Sequence, residues 1–249
     1  MDNYKGFANM YDSLMADTPY HQWGAYISTT LEKHLNPQDH PLVLDLACGT
    51  GTMTVFLAQK GYDMIGIDIS EDMLATAQEK AYDANCQVLF LRQDMQKLDL
   101  YGTIDAAICV CDGLNYILDP QTLQKVFQRV KLFLNPGGLF IFDMNTEYKF
   151  KALLGNRSFE GQGTNNMAYE MDNTYDPTTQ INSYHVCFHQ NGKPSFTETH
   201  KQKAYTIKTI TQMLETVGFT HIQANHAYTN TPPTPTSDRV SFIAHNPQV

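Results

Sequence analysis

Over the first 146 residues, short apolar runs alternate with stretches in which apolar residues recur every three or four positions, the signature of strands and helices in turn. Trp23, Tyr26, Ile27 and Leu31 have helical spacing within residues 20–35, and Pro37 and Pro41 punctuate the entry to the first apolar run at 43–46. Residues 52–60 read as a helix that Gly61 stops, and 63–68 as a strand. A helix follows over 71–81, which Ser70 can cap. Residues 87–92 and 104–110 are the next buried strands, Asp119-Pro120 caps and opens a long helix, and 139–143 form a fifth strand after the Asn135-Pro136-Gly137-Gly138 turn. This βα repetition predicts an α/β fold, a mainly parallel sheet with helices on both faces and ligands at the carboxyl ends of its strands.

Between residues 146 and 206 the period changes to two. Segments 167–171, 181–188 and 195–205 read as antiparallel strands, separated by turns at 173–177 and 190–194. Helical spacing returns with Ile207, Ile210, Leu214 and Val217, and Gly218 ends it. Two last strands, about 221–228 and 239–245, flank Thr231-Pro232-Pro233-Thr234-Pro235. The expected organisation is a helical cap (1–40), a core built from 41–146 and 206–249, and an inserted antiparallel β subdomain (147–205). A length of 249 residues suits one α/β domain with an insertion.

A net charge of −9 argues against nucleic acid, whose binding rests on clustered Lys and Arg. A small-molecule partner is favoured, with RNA or protein behind it. The five cysteines, Cys48, Cys86, Cys109, Cys111 and Cys187, contain no C-x-x-C pair, so no zinc knuckle or disulfide framework is expected. With no basic-then-apolar leader and no apolar stretch of ~20 residues, the expectation is a cytoplasmic protein with no membrane partner. Oligomeric state is left open.

Chemistry concentrates at Val43-Leu44-Asp45-Leu46-Ala47-Cys48-Gly49-Thr50-Gly51, where an apolar run breaks into a glycine turn before a helix. Gly49 and Gly51 allow close backbone approach, and the helix start offers N–H groups to a polar ligand. A dinucleotide site would carry a third glycine where Thr54 stands, and Asp45 would repel a pyrophosphate. Asp45 suits a ligand with a cationic amine. Asp68, ending the second strand, suits a ribose diol.

Residues 44–51, Gly66-Ile67-Asp68-Ile69-Ser70, Gln93-Asp94-Met95 and Leu134-Asn135-Pro136-Gly137-Gly138, in that order, resemble the motifs of class I S-adenosylmethionine-dependent methyltransferases. The resemblance implies a Rossmann-like sheet of seven strands closed by an antiparallel hairpin, and S-adenosyl-L-methionine as cofactor. It assigns Asp45 to the methionine end, Asp68 to the ribose, and Asp94 and Met95 to the adenine, with Ala47, Gly49, Gly51, Ile69 and Met73 as further cofactor-binding residues. Tyr11, in Phe7-Ala8-Asn9-Met10-Tyr11-Asp12, would approach the cofactor carboxylate, and Cys111 and Asp112 would end the fourth strand facing the methyl group. No metal is expected, because the sulfonium is already an activated leaving group.

Structural roles compete at several positions. Asp45 can simply support the turn, Asp68 can cap a helix, and Tyr11, Met73 and Trp23 can pack the core. Asp112 and Asn115 can start a helix, and Cys111 reads as a small buried residue rather than a nucleophile. The Asn-Pro-Pro-Tyr and Pro-Cys motifs of base-modifying methyltransferases are absent after the fourth strand. Glu198, His200 and Gln202 alternate on one face of a strand, where His200 is a candidate general base if that face covers the strand tips, and a solvated edge otherwise. A non-catalytic cofactor binder and a nicotinamide oxidoreductase are the rival functions.

Overall fold

The computed structural model describes residues 8–162 and 167–248; Phe7 lies outside them. Two helices, α1 (Ala8–Leu14) and α2 (Tyr20–Glu32), precede β1 (Leu42–Leu46). Next come α3 (Thr52–Ala58), β2 (Asp63–Asp68), α4 (Glu71–Asp83), β3 (Val88–Arg92), β4 (Ile104–Cys109), α5 (Pro120–Phe133) and β5 (Leu134–Asn145). The helix boundaries follow local chemistry: Ser70 Oγ accepts the Met73 N–H (3.3 Å), Asp119 accepts that of Thr122 (2.8 Å) ahead of Pro120, and Gly218 leaves α6 (Ile207–Val217) at φ 95°.

β10 (Thr220–His226) and β11 (Arg239–His245) complete a seven-stranded sheet of order β10-β11-β5-β4-β1-β2-β3. β1 to β5 pair in parallel; β11 runs antiparallel to both β5 and β10. Period-two alternation splits the core. Leu44, Leu46, Ala107, Phe140 and Phe142 pack with α5 and α6, whereas Val43, Ala106, Ile108 and Ile141 pack with α2 and α3. The order reverses at β1, with β4 on one side and β2 on the other, and a crevice at such a switch point is where an α/β sheet binds its ligand.

A second sheet, β6 (Ser158–Gln162), β7 (Met167–Asp176), β8 (Ile181–Gln190) and β9 (Lys193–Lys203), is antiparallel throughout. Its Val186 and Phe188 pack on Ala8 of α1 and Met73 of α4. No helix among the described residues is long and apolar enough to cross a membrane.

Two local expectations are corrected and one is kept. Residues 135–138 are counted with β5 yet retain the expected turn: Gly137 takes φ 80°, and the register skips between Ile104↔Leu134 and Ala106↔Leu139 while Gly137 and Gly138 pair with Asn246. The turn expected at 173–177 is displaced to 177–180, because Asp176 accepts the Thr178 N–H (2.8 Å) and Gln180 takes φ 60°. β6 escapes the sequence pattern, since Ser158-Phe159-Glu160-Gly161-Gln162 is a mostly polar edge strand with one apolar side chain.

Candidate active site

β1 delivers Asp45 to the sheet's carboxyl edge and then turns sharply. Ala47, Gly49 and Gly51 all have positive φ (55°, 55° and 74°), and a Cβ on Gly51 would sit 2.8 Å from that of Ala77. Thr54, which stands where a dinucleotide site has its third glycine, donates its hydroxyl to Asp45 Oδ2 (2.6 Å). Asp45 is 1% exposed. Burial pushes its carboxyl from the ordinary 3.8 up to about 7; the Thr54 bond opposes the rise and nearby Asp68 adds to it.

Asp68 holds the turn from the next strand, its Oδ2 accepting the Gly49 N–H and its Oδ1 that of Ser70, both at 2.9 Å. The turn is latched from above. Asp12 of α1 accepts the Thr50 hydroxyl (2.6 Å) and pairs with Lys80 (2.9 Å), which also donates to Thr52 (2.6 Å). Tyr11 is thereby set over Gly49, its ring 4.0 Å from where a Cβ would stand.

The cleft that results is lined by Tyr11, Tyr20, Asp45, Ala47, Gly49 and Cys111, among others, at the tips of β1 and β4. Burial, then Cys111 and Asp112, raise the Tyr11 hydroxyl, so Tyr11 is a neutral donor. Cys111 donates to the Tyr20 hydroxyl (3.5 Å), and burial and Asp143 push its thiol up to about 12. Such a thiol is no nucleophile at neutral pH, and Cys111 is half-buried on the cleft wall rather than fully buried.

Ile69, Met73, Asp94 and Met95 lie outside that cleft. Ile69 is 54% exposed, Met73 packs under the insertion, Asp94 Oδ1 caps the short turn at Met95–Lys97 through Gln96 N (2.9 Å), and Met95 packs on the main core. Gly51 faces α4 from within the turn.

Cys111 and Asp112 both take left-handed φ (60° and 55°), and their successive N–H groups form a nest that the Asp143 carboxylate fills (3.1 and 2.6 Å). Arg239 of β11 bridges Asp143 (2.8 Å) and Asp112 (2.7 Å), its guanidinium 5.0 Å over the Trp23 ring. Tyr228 also donates to Asp143. Asp112 does stand at the start of the short helical turn Gly113–Tyr116, its carbonyl accepting the Asn115 N–H (3.0 Å), but its side chain does not cap that turn and is tied to Arg239 instead. Asn115 is no cap either; fully buried, it bonds the Asn145 backbone and the Lys203 carbonyl, tying the turn Gly113–Tyr116 to the ends of β5 and β9.

The insertion meets this tip with the face carrying Glu198, His200 and Gln202, which are 4%, 6% and 3% exposed. The solvated-edge reading is thus corrected: the face is turned inward. Gln202 donates to Asp112 Oδ2 (2.5 Å). Glu198 Oε2 lies 2.9 Å from His200 Nε2, and the His200 ring stacks on Tyr184 with Nδ1 3.4 Å from the Tyr116 hydroxyl. Sequence reasoning missed Asp12, Lys80, Asp143, Arg239 and Tyr116. For Asp143 and Arg239 a signal existed, namely charged residues set in otherwise apolar strands.

Comparisons with known proteins agree with this architecture. Residues 43–138 match the family model described as a methyltransferase domain. The chain is 33% identical to "Putative methyltransferase YqeM" of Bacillus subtilis (strain 168) over 97% of its own length and 96% of the relative's. It is similar to a solved S-adenosylmethionine-dependent methyltransferase from Clostridium acetobutylicum ATCC 824, with 28% identity, TM-score 0.86, and 98% and 99% of the two chains covered. The CcbJ methyltransferase of Streptomyces caelestis shares the fold at 18% identity, with TM-score 0.79 over 95% and 96% of the chains. The chain belongs to the class I S-adenosylmethionine-dependent methyltransferase family.

Proposed function

We propose that this protein transfers the methyl group of S-adenosylmethionine to a small-molecule acceptor held between the strand tips and the four-stranded insertion. Asp45 carries the reading: a buried carboxylate lining a cleft, with a hydroxyl as its hydrogen-bond partner, fits a ligand that brings its own cation. The remaining residues fit the same cofactor. Tyr11 is a neutral donor suited to the amino-acid carboxylate, and the turn through Ala47, Gly49 and Gly51 leaves room for the backbone to approach. Asp68 is suited to the ribose hydroxyls, Ile69 and Met73 to its apolar side, and Asp94 and Met95 to the adenine.

Bound S-adenosylmethionine supplies a methyl carbon on a sulfonium, a leaving group already activated by its charge. The protein's part is to exclude water and hold the reacting atoms in line. Cys111 and Asp112 form the rigid wall beside the methyl position, and His200, oriented by Glu198, takes the proton the acceptor gives up. The five thiols are free, which supports a reducing compartment, the cytoplasm.

Calorimetry tests the cofactor: S-adenosylmethionine and S-adenosylhomocysteine should bind, and NADH should not. Transfer of labelled methyl to a small-molecule cell extract tests catalysis. Binding without transfer would leave a cofactor-binding protein, and heat from NADH alone an oxidoreductase.

A further inference from the structure

Building on the transferase reading, we propose that the acceptor atom is an amine nitrogen, drawn to the site as an ammonium and methylated after it has lost a proton. Carboxylates dominate the strand tips. Asp45 and Asp68 end β1 and β2, Asp112 and Asp143 meet where β4 and β5 end, and Glu198 faces them from the insertion. Arg239 is the cation among them, and it is shared by Asp112 and Asp143, so that trio keeps one negative charge in excess. Lys149, the next cation, is bonded to Asn145 Oδ1 (2.9 Å) and lies in the field of Asp238 as well as of Asp112 and Asp143. Lys80 is matched by Asp12. The cofactor's own ammonium is accounted for by Asp45.

Glu198 supplies an independent pointer. It is 4% exposed, its Oε2 is taken by His200, and its Oε1 has no hydrogen-bond partner. A buried carboxylate oxygen left without a donor is costly, and an ammonium N–H satisfies both its charge and its lone pair. Glu198 shares its face of β9 with Gln202, which reaches Asp112 at the β4 tip.

The charge flow of the reaction favours the same class. When a neutral amine attacks, its lone pair forms the N–C bond while the C–S pair stays on sulfur, and the positive charge passes to nitrogen undiminished. Fixed negative charge stabilises that arrangement throughout. An alkoxide or carboxylate nucleophile would instead be an anion held among carboxylates. The proton lost before attack has a path: the His200 ring lies between Glu198 Oε2 (2.9 Å from Nε2) and the Tyr116 hydroxyl (3.4 Å from Nδ1), so the imidazole bridges a carboxylate and a hydroxyl.

The test is the chemistry of the labelled product formed from S-[methyl-¹⁴C]adenosylmethionine and a small-molecule extract. The expected label survives alkali and resides on a cationic nitrogen by mass spectrometry. A base-labile methyl ester, an ether or a thioether would overturn the proposal and leave the transferase reading intact. Absence of any labelled product alongside normal S-adenosylhomocysteine binding would overturn the transferase reading and the proposal with it. Glu198→Gln should raise KM for the purified acceptor at least tenfold with S-adenosylhomocysteine affinity within threefold of the parent, and an unchanged KM would sink the charge argument. Should that variant not fold, the product's chemistry decides alone.

Discussion

Replacing Asp45 with Asn should stabilise the ligand-free protein while weakening cofactor binding. In the unfolded chain the carboxyl titrates near 3.8, and in the folded protein near 7, because burial disfavours its charge. The folded state therefore holds the proton more tightly. Its contribution to stability is complete below pH 3.8 and is lost as pH rises through 7. At about 1.4 kcal/mol per tenfold change in proton affinity, the loss by pH 8 is roughly 4 kcal/mol at most. Asn carries no charge and can still accept the Thr54 hydroxyl, so the variant should unfold at higher temperature than the parent at pH 8, and the gap should narrow as pH falls from 7 towards 4. Binding has the opposite sense. The ligand's ammonium needs the ionised carboxylate, so parental affinity for S-adenosylhomocysteine should rise about tenfold per pH unit up to about 7 and then level off. The variant should show no such slope and bind at least about tenfold more weakly at pH 8, in line with a lost charge-assisted hydrogen bond of roughly 1.5–3 kcal/mol. Thermal unfolding and calorimetry at pH 5, 6, 7 and 8 measure both. A variant less stable than the parent at pH 8, with unchanged affinity, would make Asp45 a turn-supporting acid and refute the argument.

Asp68→Ala should cost both functions of that residue: affinity for S-adenosylhomocysteine falls at least about tenfold by calorimetry, and stability falls by about 1–3 kcal/mol by urea unfolding, since the Gly49 and Ser70 N–H groups lose their acceptor. Parental affinity in a folded variant would reduce Asp68 to a cap. Arg239→Met strands Asp112 and Asp143 without their cation, and should destabilise by about 3–5 kcal/mol in the same assay; a loss under 1 kcal/mol would mean the trio is not ionised as drawn. His200→Ala should lower turnover at least about tenfold while cofactor affinity stays within threefold, and the deficit should shrink at high pH, where the acceptor loses its proton unaided. Weakened cofactor binding with unchanged turnover of bound cofactor would remove His200 from catalysis.

What the sequence determined by itself is what local physics encodes. Asp45, the glycine turn and Asp68 were legible because a strand–turn–helix needs specific residues at fixed spacing, and the caps at Ser70 and Asp119 because capping acts over three residues. Period two exposed β7, β8 and β9, and it placed Glu198, His200 and Gln202 on one face without saying which way that face turned. The tertiary structure decided the rest. Arg239 meets Asp143 across 96 positions and Asp112 across 127, Gln202 reaches Asp112 across 90, and Asp12 reaches Thr50 across 38. No local pattern encodes such partners, because a charge in a strand can be paid for by any opposite charge that the fold brings near. β6 stayed hidden for a related reason: a polar edge strand draws its stability from pairing with β7, not from its own residues.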